Sequence, residues 1–233
     1  MKFDASLKET ISRTADTISY RFPRPTGFDY KPGQYMLVTI KSADKELMHP
    51  FTISSNPTDQ DFIEFTKKLT ASEYSTTLKN MKSGSWARID GPYGNFTCEC
   101  EIEKILFLAG GIGITPFYSI MKYCTVKQLP TTMVLFYGCR NEQEIAFKQQ
   151  IDDMQTKNSR LRAIYVLNEP TSNWTGKVGF LTAELVRQEV PDFKDYIFYA
   201  CGPPVMVSAM QKLVASLGLP ETQLKLEALV GHT

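Results

Sequence analysis

Residues 104–123, KILFLAGGIGITPFYSIMKY, decide the fold class of this chain. The first six form a short apolar run of the kind carried by a strand buried on both faces. Gly110, Gly111 and Gly113 follow, and they let the backbone turn tightly and approach a ligand with no Cβ in the way. Thr115 is placed to cap a helix, and Pro116 to take its first position, where a missing N–H costs nothing. The free N–H groups and positive dipole end of such a helix make a phosphate site. The spacing is G-x-G-x-x-P, with Pro116 where the dinucleotide-binding fingerprint has its third glycine.

Downstream of this stretch, apolar strands are expected at residues 133–137, 161–167 and 196–200, with a last one at 224–229. Between them lie helical patterns at residues 116–126, 142–154, 182–188 and 203–217. Such alternation implies a parallel sheet covered by helices on both faces. Upstream the period changes. Residues 6–12, 17–22, 34–40, 51–54, 62–66 and 86–90 read as short strands, punctuated by Lys31-Pro32-Gly33, Asn56-Pro57 and Gly91-Pro92. One short helix is expected at residues 72–81, with Ser72 as its N-cap. Six strands at close intervals predict a six-stranded antiparallel β-barrel. The chain therefore divides near residue 100, into a barrel domain at 1–99 and an α/β domain at 100–233.

Composition narrows the possibilities. The chain has 233 residues, 42% of them apolar, and a formal net charge of +1. Its basic residues do not cluster, so no nucleic-acid partner is expected. No apolar run reaches the ~20 residues that a membrane helix needs. The N-terminus lacks an apolar leader. Five irregularly spaced cysteines point to reduced thiols and a cytoplasmic setting. Cys98-x-Cys100 has no second pair to complete a metal site, so no metal is expected. His232, close to the end, reads as a solvated tail residue.

Four further segments carry chemistry. His49-Pro50-Phe51-Thr52 offers an imidazole, a flat ring and a hydroxyl on one strand. Ser75 and Thr76 bring hydroxyls to a helix start, where phosphate oxygens are held. Gly91-Pro92-Tyr93-Gly94 is a turn whose backbone can pass close to a flat ring. Cys201-Gly202-Pro203-Pro204 ends an apolar strand.

In this order the segments resemble the ferredoxin–NADP reductase superfamily over nearly the whole chain. The resemblance implies a flavin-binding antiparallel barrel followed by a Rossmann-like parallel sheet that binds a nicotinamide nucleotide. His49-Pro50-Phe51-Thr52 is similar to the family's Arg-x-Tyr-Ser/Thr flavin motif. Phe51 would then stack on the isoalloxazine, and Thr52 would hydrogen-bond near its reactive nitrogen. Ser75 and Thr76 match the flavin-phosphate segment, and Gly91 and Gly94 the G-P-x-G turn. The segment from Gly110, Gly111 and Gly113 to Thr115 and Pro116 matches the nucleotide pyrophosphate loop. Cys201, Gly202 and Pro203 match the segment beside the nicotinamide ring. Glu227-Ala228-Leu229 resembles the family's terminal Glu-x-Phe, which puts Glu227 near the flavin.

Two departures bear on specificity. His49 replaces the arginine that neutralises the flavin pyrophosphate, and a neutral His is a poorer anion clamp. FAD is expected, with FMN the lesser alternative. Where NADPH-specific relatives carry Ser-Arg, this chain has Asn168-Glu169, and a carboxylate suits a ribose 2′-hydroxyl. NADH is therefore expected over NADPH, with Arg140 and Lys177 as nearby cations that would favour a 2′-phosphate. The implied activity passes a hydride from the nicotinamide nucleotide to bound flavin. Electrons then leave to a separate acceptor: an iron–sulfur protein, a haem protein or a small molecule. The alternatives are a non-catalytic or regulatory subunit of a larger complex and a flavin-free dehydrogenase.

Overall fold

The computed structural model describes residues 1–98 and 102–229. Cys100, His232 and the division point near residue 100 lie outside them. In the N-terminal part, short segments with alternating burial pair antiparallel: β1 (Lys2–Ser6), β2 (Glu9–Ser12), β3 (Thr17–Pro23), β4 (Tyr35–Ser42), β5 (Lys45–Thr52), β6 (Phe62–Lys68) and β7 (Trp86–Tyr93). They form two sheets, ordered β1-β7-β4-β5 and β2-β3-β6, joined at the Ile53–Phe65 bridge. Tyr20, Phe22, Met36, Val38, Phe51 and Phe65 fill the space between them. Helix α1 (Glu73–Asn80) closes one end, with Ser72 Oγ accepting from Ser75 N at 3.2 Å as its N-cap.

Two strand expectations need correction. Residues 6–12 are not one strand, because the chain changes sheet at Leu7. Leu7 N donates to Ser85 O and Lys8 N to Arg21 O, so β1 pairs with β7 and β2 with β3. The barrel thus has seven strands among the described residues, one more than the expected six. The strand expected at residues 51–54 begins at Lys45 and runs through Pro50. Proline is tolerated there because β5 lies at the sheet edge, where a missing ladder donor costs little.

The second part is a six-stranded parallel sheet. Its strands are β8 (Lys104–Gly110), β9 (Thr132–Cys139), β10 (Leu161–Leu167), β11 (Lys177–Val178), β12 (Ile197–Gly202) and β13 (Leu224–Ala228), in the order β11-β10-β9-β8-β12-β13. Helices α2 (Ile114–Val126) and α3 (Lys148–Lys157) cover one face around Phe107, Phe117 and Leu135. Helices α4 (Ala183–Glu189) and α5 (Pro204–Ser216) cover the other around Leu106, Phe136 and Val214. The helix expected at 142–154 is broken. Ile145, at φ −77° and ψ 90°, is extended after a 3₁₀ turn at Glu142–Glu144, and Ile145, Ala146 and Phe147 are all buried. Phe147 takes a left-handed conformation (φ 60°), and α3 starts after it.

Packed polar contacts join the two parts. Ser119 Oγ on α2 donates to Ser55 O at 2.7 Å, and Lys122 Nζ meets both Asp59 oxygens at 2.8 and 2.9 Å. Lys68 Nζ reaches Glu144 at 2.7 Å, and Tyr199 Oη donates to Thr97 O at 3.0 Å. These bonds hold the outer face of β5 opposite β13.

Candidate active site

Strand order in the parallel sheet reverses between β8 and β12, since the chain runs outward from β8 and later returns to its other side. Ligands of open α/β sheets bind beyond the carboxyl ends of strands at such a point. Two expected segments meet there. A Cβ on Gly113 would lie 2.2 Å from Cys201 O, so only glycine lets the two loops approach this closely. Gly110 and Gly202 both pack on Met206. Gly111, at φ 51°, faces open space, which leaves the backbone at this turn open to an anion.

Thr115 and Pro116 sit differently from expectation. Helix α2 begins at Ile114 with Gly113 as N-cap, because the turn after β8 is a short 3₁₀ segment that leads directly into it. Thr115 Oγ1 turns back to donate to Ile112 O at 3.2 Å, and Pro116 is buried in the first turn.

A cavity of about 310 Å³ opens between the barrel and β13, lined by Tyr35, Leu37, Pro50, Phe51, Thr52, Glu227, Ala228 and Leu229. Pro50, Phe51, Thr52 and Glu227, expected from separate motifs, thus share one space. Gly91 and Gly94 stand behind its wall. A Cβ on Gly94 would fall 2.9 Å from the Tyr35 ring, so the ring that this turn passes belongs to the protein itself. Glu227 pairs in register with Cys201 across β12 and β13. Burial pushes the Glu227 carboxyl up to about 7, and its Oε2 has no hydrogen-bond partner. The Cys201 thiol is fully buried, and burial, then Glu227, hold it well above its ordinary value. It is a neutral thiol, not a nucleophile.

Behind Phe51 lies a residue that the motifs did not name. Lys67 on β6 is only 3% exposed, and no carboxylate pairs with it among the described residues; its ammonium lies 5.8 Å from the Phe51 ring centre. Burial lowers its pKa. The signal was available in the strand period: Ile63, Phe65 and Lys67 alternate onto one face, and the first two are core residues. His49 lies edge-on to Tyr74 of α1 at 4.5 Å, and burial, then the Lys67 charge, lower its pKa, so it is neutral. Ser75 Oγ is engaged with Ser72 and Thr70, and Thr76 Oγ1 donates to Ser72 O. Lys67, His49 and the first turn of α1 therefore surround one spot. A largely buried lysine with no carboxylate partner among the described residues fits an anionic group there, and the adjoining Phe51-lined cavity fits a flat ring. The donor set matches a flavin nucleotide.

At the far end of the crevice, Arg140 follows β9 and Glu169 follows β10. Arg140 Nε donates to Glu169 Oε2 at 2.8 Å. Lys177 is turned away and pairs with Glu189.

Comparison with known proteins agrees with this division of labour. A family model described as "FAD-binding domain" matches residues 2–97, and one described as "Oxidoreductase NAD-binding domain" matches residues 107–212. NADH-cytochrome b5 reductase 1 of Aspergillus terreus is 33% identical over 230 residues, covering 91% of this chain and 76% of that protein. The same-named protein of Ajellomyces capsulatus is 33% identical over 235 residues, at 95% and 76% coverage. Among solved structures, the cytochrome b5 reductase domain of Ulva prolifera nitrate reductase gives a TM-score of 0.86 at 21% identity, with 97% of each chain covered. A ferredoxin NADP+ reductase from Neisseria gonorrhoeae with bound FAD and NADP gives 0.85 at 19% identity, covering 97% of this chain and 98% of that one. The structural likenesses speak to the fold, and the sequence relatives to more. Matched by both family models and by relatives along more than nine tenths of its length, this chain belongs to the ferredoxin–NADP reductase superfamily and is a flavin-dependent NAD(P)H oxidoreductase.

Proposed function

We propose that the chain takes electrons from NADH in preference to NADPH and delivers them to a small haem protein of the cytochrome b5 type. The observation that carries this is the cavity where Phe51 and Thr52 of the barrel face Glu227 of the sheet. It lies where two ring systems, one from each domain, can stack. Domain 1–99 would hold the FAD and domain 100–233 the nucleotide. Bound flavin supplies hydride acceptance from the nicotinamide and onward electron release. The protein's own residues bind, orient and exclude water.

Lys67 takes the anion-neutralising role for which His49, neutral in its setting, is poorly suited. Pro50, Phe51 and Thr52 line the ring site. Ser75 and Thr76 contribute by setting the start of α1 and its free N–H groups. Gly110, Gly111 and Gly113 let the nucleotide pyrophosphate lie against backbone, and Gly202 and Pro203 shape the loop opposite. Cys201, as a neutral buried thiol, fixes the nicotinamide's seat by shape. Glu227 can hold or give up a proton at Oε2 near neutral pH. The exposed Glu169 carboxylate repels a 2′-phosphate. The relatives named as NADH-cytochrome b5 reductases support both the donor and the acceptor. The four described cysteines are buried and unbridged, which supports a cytoplasmic setting.

The test is acceptor competition. With NADH as donor, the soluble haem domain of a cytochrome b5 should be reduced at catalytic rates and a plant-type ferredoxin far more slowly. Ferredoxin reduced faster than the haem protein would overturn the acceptor assignment.

A further inference from the structure

Just past Thr52, the chain leaves β5 against a buried charge that none of the motifs accounts for. Glu64 on β6 is 1% exposed. Its Oε2 accepts from Arg13 Nη2 at 3.0 Å and from Arg21 Nε at 2.8 Å, and its Oε1 accepts from Ser54 Oγ at 3.0 Å. A carboxylate only accepts, so the Ser54 proton is committed to it, and Ser54 Oγ accepts from Thr66 Oγ1 at 2.9 Å. Thr66 in turn accepts from Ser19 Oγ at 2.7 Å, and Ser19 from Arg13 Nε at 2.7 Å. The bonds close a ring, Arg13–Glu64–Ser54–Thr66–Ser19, in which each hydroxyl donates once and accepts once. Backbone joins in: Ser54 N donates to Glu64 O at 2.7 Å, and Glu64 N to Ser55 Oγ at 3.0 Å.

This ring reaches the nucleotide domain. The Arg13 guanidinium lies over the Phe147 ring at 4.6 Å, and Phe147 stacks on Tyr118 of α2 at 4.1 Å. A bulky side chain keeps the left-handed backbone of Phe147 only where its surroundings over-determine it. Ser55, which receives the Glu64 N–H, presents its own carbonyl to Ser119 of α2. Burial, then the Glu64 charge, push the Tyr118 phenol up to about 12, so α2 lies within the field of the same carboxylate. The glycine turn Gly111–Gly113 packs on β6 itself.

We propose that Glu64 is a positioning residue for hydride transfer: through Ser54 and Arg13 it fixes the strand that carries Phe51 and Thr52 relative to the nucleotide domain. The proposal deepens the NADH-to-flavin reading and rests on it. Glu64 does not line the cavity, so it acts through its partners. Any shift of Ser54 or Arg13 leaves a buried hydroxyl or charge unpaired, which is costly. The network therefore has one arrangement, and the ring seats on either side inherit it. Transfer between two rings is steeper in their separation than the binding of either one. A misplacement of ~1 Å can cost about 100-fold in rate.

The experiment compares wild type with Arg13→Met, Glu64→Gln and the double variant. Arg13→Met opens the ring but leaves Arg21 to balance Glu64, so it keeps the test alive if Glu64→Gln unfolds; urea melts show which variants are folded. Stopped flow gives the limiting rate of flavin reduction and the apparent Kd for NADH, and fluorescence titration gives the affinity for FAD. Residual dipolar couplings of the flavin-free protein read domain orientation without turnover. In Arg13→Met the limiting rate should fall about tenfold or more, with both affinities within about threefold of wild type. Couplings from the two domains should fit one alignment in wild type and need two in the variant. The double variant should be no slower than the slower single one, because both changes open the same ring. A wild-type limiting rate in Arg13→Met would overturn the positioning role. So would a rate loss matched by an equal loss of NADH or FAD affinity, a double variant slowed by the product of the two single effects, or domains that keep one alignment. Wild type that holds FAD and is not reduced by NADH would instead sink the underlying reading, and the couplings would still decide whether the ring sets domain orientation.

Discussion

Lys67→Met should move two measurements in opposite directions. In protein stripped of flavin, the Lys67 side chain is largely buried and has no carboxylate partner among the described residues. Burial lowers its pKa below the ordinary 10.5, so folding works against the charged form. That penalty is present at neutral pH and fades as pH rises through 10.5, where the unfolded chain also loses the proton. Flavin-free Lys67→Met should therefore unfold at a higher urea concentration than wild type at pH 7, with the gap closing towards pH 10. FAD binding should change the other way. One charge-assisted hydrogen bond to a phosphate contributes about 1.5–3 kcal/mol. Its loss weakens FAD binding by roughly 10- to 150-fold. Titration of the stripped protein with FAD, followed by quenching of flavin fluorescence, reads the second effect. Affinity within twofold of wild type, or a variant less stable without flavin, would refute the role given to Lys67.

Glu227→Gln should flatten a step near pH 7 in the rate of flavin reduction, read by stopped flow; an unchanged step would assign it to another group. The same substitution should stabilise the flavin-free protein in alkaline urea melts. A carboxyl raised from 4.5 to about 7 favours the fold's neutral form and costs up to about 3 kcal/mol once it is ionised, above pH 7. Cys201→Ala should slow flavin reduction more than it weakens NADH binding, since a neutral thiol in the seat proposed for it beside the nicotinamide would act on geometry in the transition state. Gly113→Ala should lower stability by more than about 2 kcal/mol in denaturant unfolding, because its methyl would overlap Cys201 O.

Most of the architecture was legible because both period signals were strong. From Ile105 to Gly110 the strand is apolar and buried at every residue, as a central parallel strand must be. The losses occurred where tertiary context overrode local pattern. Pro50 hid the first half of β5, and only its edge position excuses a proline there. Leu7 hid a sheet switch, because one inward apolar residue looks the same in a continuous strand. Three consecutive buried residues at 145–147 looked helical, yet they pack in extended and left-handed conformations beneath α2. At the site, the motifs located Phe51, Thr52, Cys201 and Glu227, which the fold gathers into adjoining positions. They did not distinguish a side chain that faces a ligand from one that braces a turn. Thr115 Oγ1 turns back to Ile112 O and Gly94 lies against the Tyr35 ring, contacts that the motifs do not encode. Lys67 went unnoticed because a lysine in a strand reads as solvated, until its place in the period-two pattern is counted.

Everything above turns on the passage of electrons from NADH through bound FAD. It is tested most directly by mixing the FAD-loaded protein with NADH under anaerobic conditions and following the yellow absorbance in a stopped-flow instrument. Rapid bleaching is expected, with a rate that saturates in NADH and a slower, weaker response to NADPH at low salt. A protein that holds FAD but keeps its colour in excess NADH would contradict it, as would one that binds no flavin at all.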